Sequence, residues 1–375
     1  MMDPNPTRQP ELRPARIPAF SIHLLRFIVM VVMVGLGVRL LLPQIADLED
    51  AVTTIRAMPL WLVGIAALGQ VGNYGGAGVM MATLAGLVDS RLPLLRGTII
   101  AIAASSIGLV AGGTVGNTAI TYRWVRGSGV RRLGAALCAT IPLLLIVLAL
   151  LLVAMVGLIN LLLVHQLNAV EVAGFVAVLV MLGVLAAVVF YGMAHPPWLT
   201  ARVTPILVRY YAWRRRPFAP EDAVDYVNKL INTGIVLRRG WHGPAAGAVI
   251  NITSDIFTLY ILFLAAGYRV SPGLLLAGYG LPLLVGRLPL VPGGVGVVEA
   301  TMTAVFIGLG APPHATVVAT LGYRLFSFWI PTLLGFPLAL YLQHVARPPE
   351  ETPNAPAGTE KNPQISPITQ IEEPS

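Results

Sequence analysis

Between residues 24 and 342 the chain is a succession of apolar stretches joined by short polar connections. No water is available in a bilayer core, so a chain that enters one must satisfy its backbone as helices or as a closed barrel. Strand-like alternation is absent, and the stretches approach or exceed the roughly 20 residues that a helix needs to cross about 30 Å of hydrocarbon. Apolar segments fall at 24–42, 59–84, 98–111, 133–159, 172–194, 244–267, 272–288 and 314–342, with a further apolar stretch at 295–310. The expectation is an all-α polytopic membrane protein with about seven to nine embedded helical segments.

Only 11% of the 375 residues are charged and 56% are hydrophobic, with a mean hydropathy of +0.77. A soluble domain carries about 25% charged residues and could not cover that much apolar surface. The net charge of +8 sits in the connections, a pattern of membrane orientation and not of nucleic-acid binding. Cys138, the single cysteine, lies in an apolar run, where a free thiol is packing material.

Charge also orients the chain. The N-terminal segment, 1–23, and the loop 195–243 are rich in arginine, whereas Asp47, Glu49 and Asp50 dominate the first connection. The N-terminus and the 195–243 loop are therefore expected in the cytoplasm of a cell (inner) membrane protein. Arg39 lies near the end of the first span, where its side chain can snorkel to the headgroups. The loop 195–243 is either a solvated interfacial segment or a docking surface. The tail 343–375, rich in proline and glutamate, has the composition of disorder. Arg123, Arg126, Arg131 and Arg132 also belong in the cytoplasm, which requires 98–122 to enter and leave on one side.

That region carries a motif found twice. Leu109-Val110-Ala111-Gly112-Gly113, Ala119, Gly127 and Gly129 recur as Leu290-Val291-Pro292-Gly293-Gly294, Ala300, Gly308 and Gly310, each 181 residues later. Paired interruptions in two halves point to a transporter-like binding site near the midplane. Close helix packing on small residues is the plainer reading. The shared offset favours two broken or re-entrant elements in a pseudo-repeat; the charge pattern leaves open whether the halves are inverted.

Ionisable residues inside apolar segments cost about 2.5–3.5 kcal/mol each on the insertion scale and require a reason. Asn251 and Asp255 share one face of the sixth span, as an interhelical lock or a cavity lining. Arg287 precedes the second glycine pair, Glu299 follows it, and Arg324 lies in the last span. Together they form either a structural ion pair or a positive site for phosphate, which a guanidinium grips with two donors. The first half is chemically different: Thr118 stands where Glu299 does, with Asn117 and Arg123 nearby. The site residues expected for a headgroup or cavity are therefore Gly112, Gly113, Asn117, Arg123, Asn251, Asp255, Arg287, Gly293, Gly294, Glu299 and Arg324.

The string Pro292-Gly293-Gly294-Val295-Gly296-Val297-Val298-Glu299-Ala300, followed by a glycine and an arginine-bearing last span, resembles the lysylphosphatidylglycerol synthase transmembrane region family, or flippase-like domain proteins. The resemblance covers most of 24–342. It implies a helical bundle with broken segments that handles phospholipids or lipid-linked molecules, in some members by moving lipid between leaflets. Full-length synthases add a soluble aminoacyltransferase domain, which does not follow here, so aminoacyl transfer is not expected. Ala111 also replaces the proline of the second motif.

Three function classes follow. The leading one is binding and translocation of an anionic phospholipid or lipid-linked glycan. The second is an accessory subunit of an envelope-assembly system, as a homo-oligomer or with a partner. A membrane-embedded enzyme is the third: His23, His165, His195, His242, His314 and His344 lack metal-like spacing, and neither a catalytic motif nor a nucleotide-binding loop is present. No catalytic residue, metal or cofactor is expected.

Overall fold

The computed structural model describes residues 48–110, 113–164, 169–195, 240–287 and 292–345, with a few positions between 198 and 205. The first span at 24–42, Gly112, most of the 195–243 loop and nearly all of the tail lie outside the described residues. Every regular element described is helical: α1 (Leu48–Ala57), α2 (Leu60–Gly86), α3 (Leu94–Val110), α4 (Thr114–Gly127), α5 (Arg132–Val164), α6 (Ala169–Ala194), α7 (His242–Ala265), α8 (Pro272–Gly286), α9 (Val297–Gly308), α10 (Pro313–Arg324) and α11 (Ile330–Val345). A π-helical turn, Leu325–Trp329, makes α10 and α11 one continuous rod. Helix α5, helix α7 and the rod Pro313–Val345 are long and apolar enough to cross a membrane, whereas α3, α8 and α9 are shorter apolar helices. Segment 295–310 contains α9, and the other expected spans that fall on described residues agree with the helices to within a few residues.

The repeat extends far beyond the glycine motif. Helix α5 runs 132–164 and the rod α10–α11 runs 313–345, the same 181-residue offset at both ends. Gly113 and Gly294 both have positive φ, at 71° and 62°, and Gly129 and Gly310 do too, at 86° and 91°. These corners fall where the chain leaves each hairpin tip and each hairpin base, and the left-handed backbone there is cheap only for glycine. Each half thus reads long helix, short helix, glycine turn, short helix, long helix. Pro142 interrupts the ladder of α5 at the position equivalent to Tyr323, just before the π-turn.

The halves are inverted. Helices α2 and α7 are equivalent and form the most extensive helix pair. Gly76 of α2 meets Gly247 and Asn251 of α7, while Gly69 meets Ser254 and Thr258, so position rises along one helix as it falls along the other. The two therefore run antiparallel. Their backbones approach so closely that a Cβ built on Gly76 would lie 2.5 Å from the Asn251 amide nitrogen. Small residues permit that approach, and packing drives it where lipid offers no hydrophobic contrast.

Helices α3 and α4 fold into a hairpin whose ends meet, since Arg96 Nε donates to Ser128 Oγ at 2.9 Å. The Arg131 amide donates to Ser90 Oγ at 3.2 Å, which brings the end of α2 and the start of α5 to that same end of the bundle. The second hairpin, α8–α9, has its base at the opposite end: Ala266, Ala315 and Val318 cluster with Met58 at the start of α2. One hydrophobic core joins the first hairpin to residues 135–141 of α5 and 339–342 of α11; the other joins the second hairpin to 150–161 of α5 and 319–323 of the rod. Each long helix is thus shared between the halves. All six arginines at the first base (91, 96, 123, 126, 131 and 132) have uncharged counterparts in the second half.

Inversion makes a topological prediction. With Cys138 replaced by alanine, Arg131→Cys and His314→Cys should react with a membrane-impermeant maleimide from opposite sides of sealed vesicles. Labelling of both from one side would contradict the antiparallel arrangement.

Candidate functional site

The two hairpins point toward each other from opposite ends, and their tips touch. Leu109, at the end of α3, packs against Gly293 in the 3-10 turn Pro292–Gly294, and Phe328 of the π-turn packs on the same glycine. Around this meeting point lie two polar clusters and one exposed cation.

The first cluster centres on Asp255 of α7, which is 8% exposed. Gln70 Nε2 and Asn73 Nδ2, both from α2, donate to its Oδ1 at 2.7 and 3.1 Å. Tyr279 of α8 and Tyr323 of α10 donate hydroxyls to its Oδ2 at 2.8 and 2.7 Å. Asn251 Nδ2 donates to the Asn73 carbonyl at 2.8 Å and also to Asn73 Oδ1. Four helices are thereby tied to one carboxyl group, and Asn251 and Asp255 take part in an interhelical lock. Neutral donors from every side make this burial tolerable.

The second cluster is an ion pair. Arg324 Nε donates to Glu299 Oε1 at 2.6 Å, and both residues are 5% exposed. Glu299 Oε2 accepts the Gly296 amide at 2.7 Å, which places negative charge on the N-terminal turn of α9. Arg324 Nη2 donates to the Gly293 carbonyl at 3.3 Å, and the guanidinium lies 4.3 Å from the centre of the Phe328 ring. Arg324 thus stitches the broken segment to the rod. The π-turn that follows it is a device often found where a helix carries a functional site.

Arg287 differs from both. Its side chain is exposed, and among the described residues it makes no hydrogen bond or ion pair. It nevertheless interacts electrostatically with Tyr279, Tyr323, Asp255 and Tyr74. Arg287 thus stands at the edge of the lock, within electrostatic reach of its carboxyl and hydroxyl groups.

The expected residues divide accordingly. Asn251 and Asp255 form one cluster; Gly293, Glu299 and Arg324 form the next; Gly294 supplies its left-handed corner and Arg287 stands beside them. In the first half Gly113 makes the tip, its amide donating to the Gly108 carbonyl at 2.6 Å, and Asn117 packs against Gly108 and accepts from Thr121 Oγ1. Arg123 is exposed on the half of α4 nearer the hairpin base, away from the tips. Gln70, Asn73, Tyr74, Tyr279 and Tyr323 were not anticipated. A signal for two of them exists in the sequence: Gln70 and Tyr74 stand 181 residues before Asn251 and Asp255.

Comparison with known proteins finds membrane proteins. The profile of the family described as lysylphosphatidylglycerol synthase TM region matches residues 24–335. A UPF0104 membrane protein of Pyrococcus horikoshii is 37% identical over 87 residues, 23% of this chain and 26% of that one. One from Methanocaldococcus jannaschii is 29% identical over 159 residues, 40% of this chain and 46% of that one. A third, from Methanothermobacter thermautotrophicus, is 33% identical over 81 residues, 22% and 24% of the two chains. The matched stretches thus span from about a quarter to just under half of these relatives.

Removing one partner of a buried ion pair leaves the other charge uncompensated, at a cost of about 3–5 kcal/mol. Arg324→Ala should lose stability on that scale in detergent unfolding, and the double variant Glu299→Ala/Arg324→Ala should be less destabilised than Arg324→Ala alone. Tyr323→Phe and Tyr279→Phe should each cost about 1–2 kcal/mol in the same measurement. Additive losses in the double variant would mean that the pair is not coupled.

Proposed function

We propose that this chain, which belongs to the lysylphosphatidylglycerol synthase TM region family, binds the anionic headgroup of a phospholipid or lipid-linked molecule at Arg287 and carries it between leaflets. The observation that carries the reading is the contrast among the ionisable groups near the hairpin tips. Asp255, Glu299 and Arg324 are buried and engaged, while Arg287 is exposed and unpaired among the described residues. An arginine in an apolar segment calls for a polar partner, and a phosphate offers a guanidinium two parallel hydrogen bonds.

The engagement of Arg324 and Glu299 shifts the expected roles. Both were reasonable headgroup ligands by position, but their polar atoms already serve each other and the backbone at Gly293 and Gly296. In this reading they hold the second hairpin tip in shape, and Arg287 alone meets the ligand. The hairpins are re-entrant elements of a multi-pass protein in the cytoplasmic membrane, with the arginine-rich base of α3–α4 in the cytoplasm, as its charge suggests. Inverted repeats whose broken helices meet near the midplane provide a pathway usable from either side. No step of this reading requires bond chemistry.

The test is a leaflet-scrambling assay with purified protein in liposomes containing fluorescent anionic or zwitterionic phospholipid. Wild type should accelerate exchange, Arg287→Ala should reduce it roughly tenfold or more, the scale of one lost charge-assisted contact, and Arg287→Lys should restore part of it. Arg269→Ala, at an exposed connection outside the site, should match wild type. No acceleration with any headgroup would remove translocation of these lipids and favour an accessory role in envelope assembly.

A further inference from the structure

We infer that Asp255 is a proton-binding site, and that buried hydroxyls on the rod, Thr316 and Thr320, lead protons to it from the base of the second hairpin. Three buried side-chain oxygens among the described residues lack a hydrogen-bond partner, those of Thr316, Thr320 and Ser327. All three stand on the rod Pro313–Val345, and their spacing, with Tyr323 among them, places them on one face. Tyr323 is a donor to Asp255 Oδ2. The row covers about 16 Å of helix axis, roughly half the hydrocarbon thickness. Threonines elsewhere in the bundle avoid such isolation: Thr83, Thr98, Thr140, Thr258 and Thr301 each donate to the carbonyl four residues back. Thr316 and Thr320, 0% and 1% exposed, do not. Unpartnered hydroxyls in a row are the partners that a file of water needs, since each buried water takes about three hydrogen bonds.

The cradle of Asp255 suits a group that gains and loses a proton. Oδ1 meets amide donors, Gln70 Nε2 and Asn73 Nδ2, which cannot accept a hydrogen bond in return. Oδ2 meets the hydroxyls of Tyr279 and Tyr323, and a hydroxyl oxygen accepts as well as donates. A proton therefore belongs on Oδ2, whose bond to one tyrosine then reverses. In uptake, Tyr323 passes its Oη proton to Oδ2 and takes a replacement from the water or hydroxyl next in the row. At the aqueous end a hydronium becomes water, and the carboxylate has become a neutral acid. The helices packed on α7 bring no competing carboxyl to this place. Helix α2 brings Tyr74, α8 brings Tyr279 and ends at Arg287, and α10 brings His314, Tyr323 and Arg324. Helix α5 brings Arg132 and Cys138, both toward the first base, and α7 itself adds His242 and Tyr260. Arg324 is already held by Glu299.

Access is from the second base. Thr316 lies within one turn of the exposed Pro313 and His314, where α10 begins. In the other direction the rod is engaged: the Ser327 carbonyl accepts the Tyr74 hydroxyl, the Pro331 carbonyl accepts Ser106 Oγ, and Gly335 abuts Ser106 and Ile102. The use of the proton, unlike the site itself, rests on the headgroup reading. Asp255 is a carboxyl within electrostatic reach of Arg287, so its protonation removes a compensating negative charge and leaves the guanidinium to a phosphate. A proton and an anionic headgroup thus bind together.

Infrared difference spectra of the protein in proteoliposomes read the site without any lipid transport. A carboxylic-acid carbonyl band should grow as the pH falls and be missing from Asp255→Asn. If that variant does not fold, a shift of the band in Tyr279→Phe assigns it, because one hydrogen bond to the carboxyl is lost. After a pH drop on the side that labels His314→Cys, the double variant Thr316→Val/Thr320→Val should take up the proton at least about tenfold more slowly than wild type and reach the same final band. That variant gives up no side-chain hydrogen bond within the protein and should fold. A drop on the other side should give slow uptake in wild type, and fast uptake there would overturn the route. Equal rates in wild type and the double variant, or a folded wild type without a pH-dependent Asp255 band, would overturn the inference even if scrambling is robust. A titrating Asp255 in protein that moves no lipid would leave the proton site standing and sink the headgroup-transport reading instead. Where both hold, scrambling should rise as the pH falls in wild type and lose that dependence in Asp255→Asn.

Discussion

A backbone break at bilayer depth survives only if protein covers it, because no water is present to take the freed amide and carbonyl groups. The bundle meets this constraint by setting its two breaks tip to tip. The Gly293 carbonyl, exposed by the turn before α9, is taken by Arg324, and the free amide of Gly296 is taken by Glu299. The residues that pair those two backbone groups pair each other as well. Removing any member leaves a polar atom stranded in an apolar setting, which is why this small cluster governs the whole second hairpin.

The close crossing of α2 and α7 extends the same logic. Glycines on both helices bring the backbones together, and the polar side chains that flank them then have no route to water. Asp255 gathers the donors of Gln70, Asn73, Tyr279 and Tyr323, so the pseudo-two-fold axis passes through a hydrogen-bonded core within an apolar bundle. The lock ties the equivalent helices of both repeats, together with α8 and α10 of the second.

Much of this was legible in the sequence for definite reasons. Apolar stretches announce helices in lipid because nothing else satisfies the backbone, and the helices fall within a few residues of the expected segments. The 181-residue offset anticipated two related broken elements, and the structure gives them matching left-handed corners at Gly113 and Gly294, a backbone that is cheap only for glycine. Asn251 and Asp255 stood out because polar atoms in an apolar run require partners. The partners did not stand out equally: a tyrosine in a membrane helix is unremarkable by composition, and only the fold brings Tyr279 and Tyr323 to one carboxyl group.

The sequence alone determined the class, the helix order and the existence of two related halves, because hydropathy and glycine spacing are local properties that survive without knowledge of contacts. Tertiary structure decided the relation between those halves. Antiparallel crossing of α2 and α7 makes the repeat inverted, a fact that resides in which residues touch and in no single segment. It also decided which of the charged groups are engaged. Arg287 and Arg324 look alike in the chain, yet one is enclosed with Glu299 and the other is left open beside the lock, since pairing depends on where the hairpin tips meet.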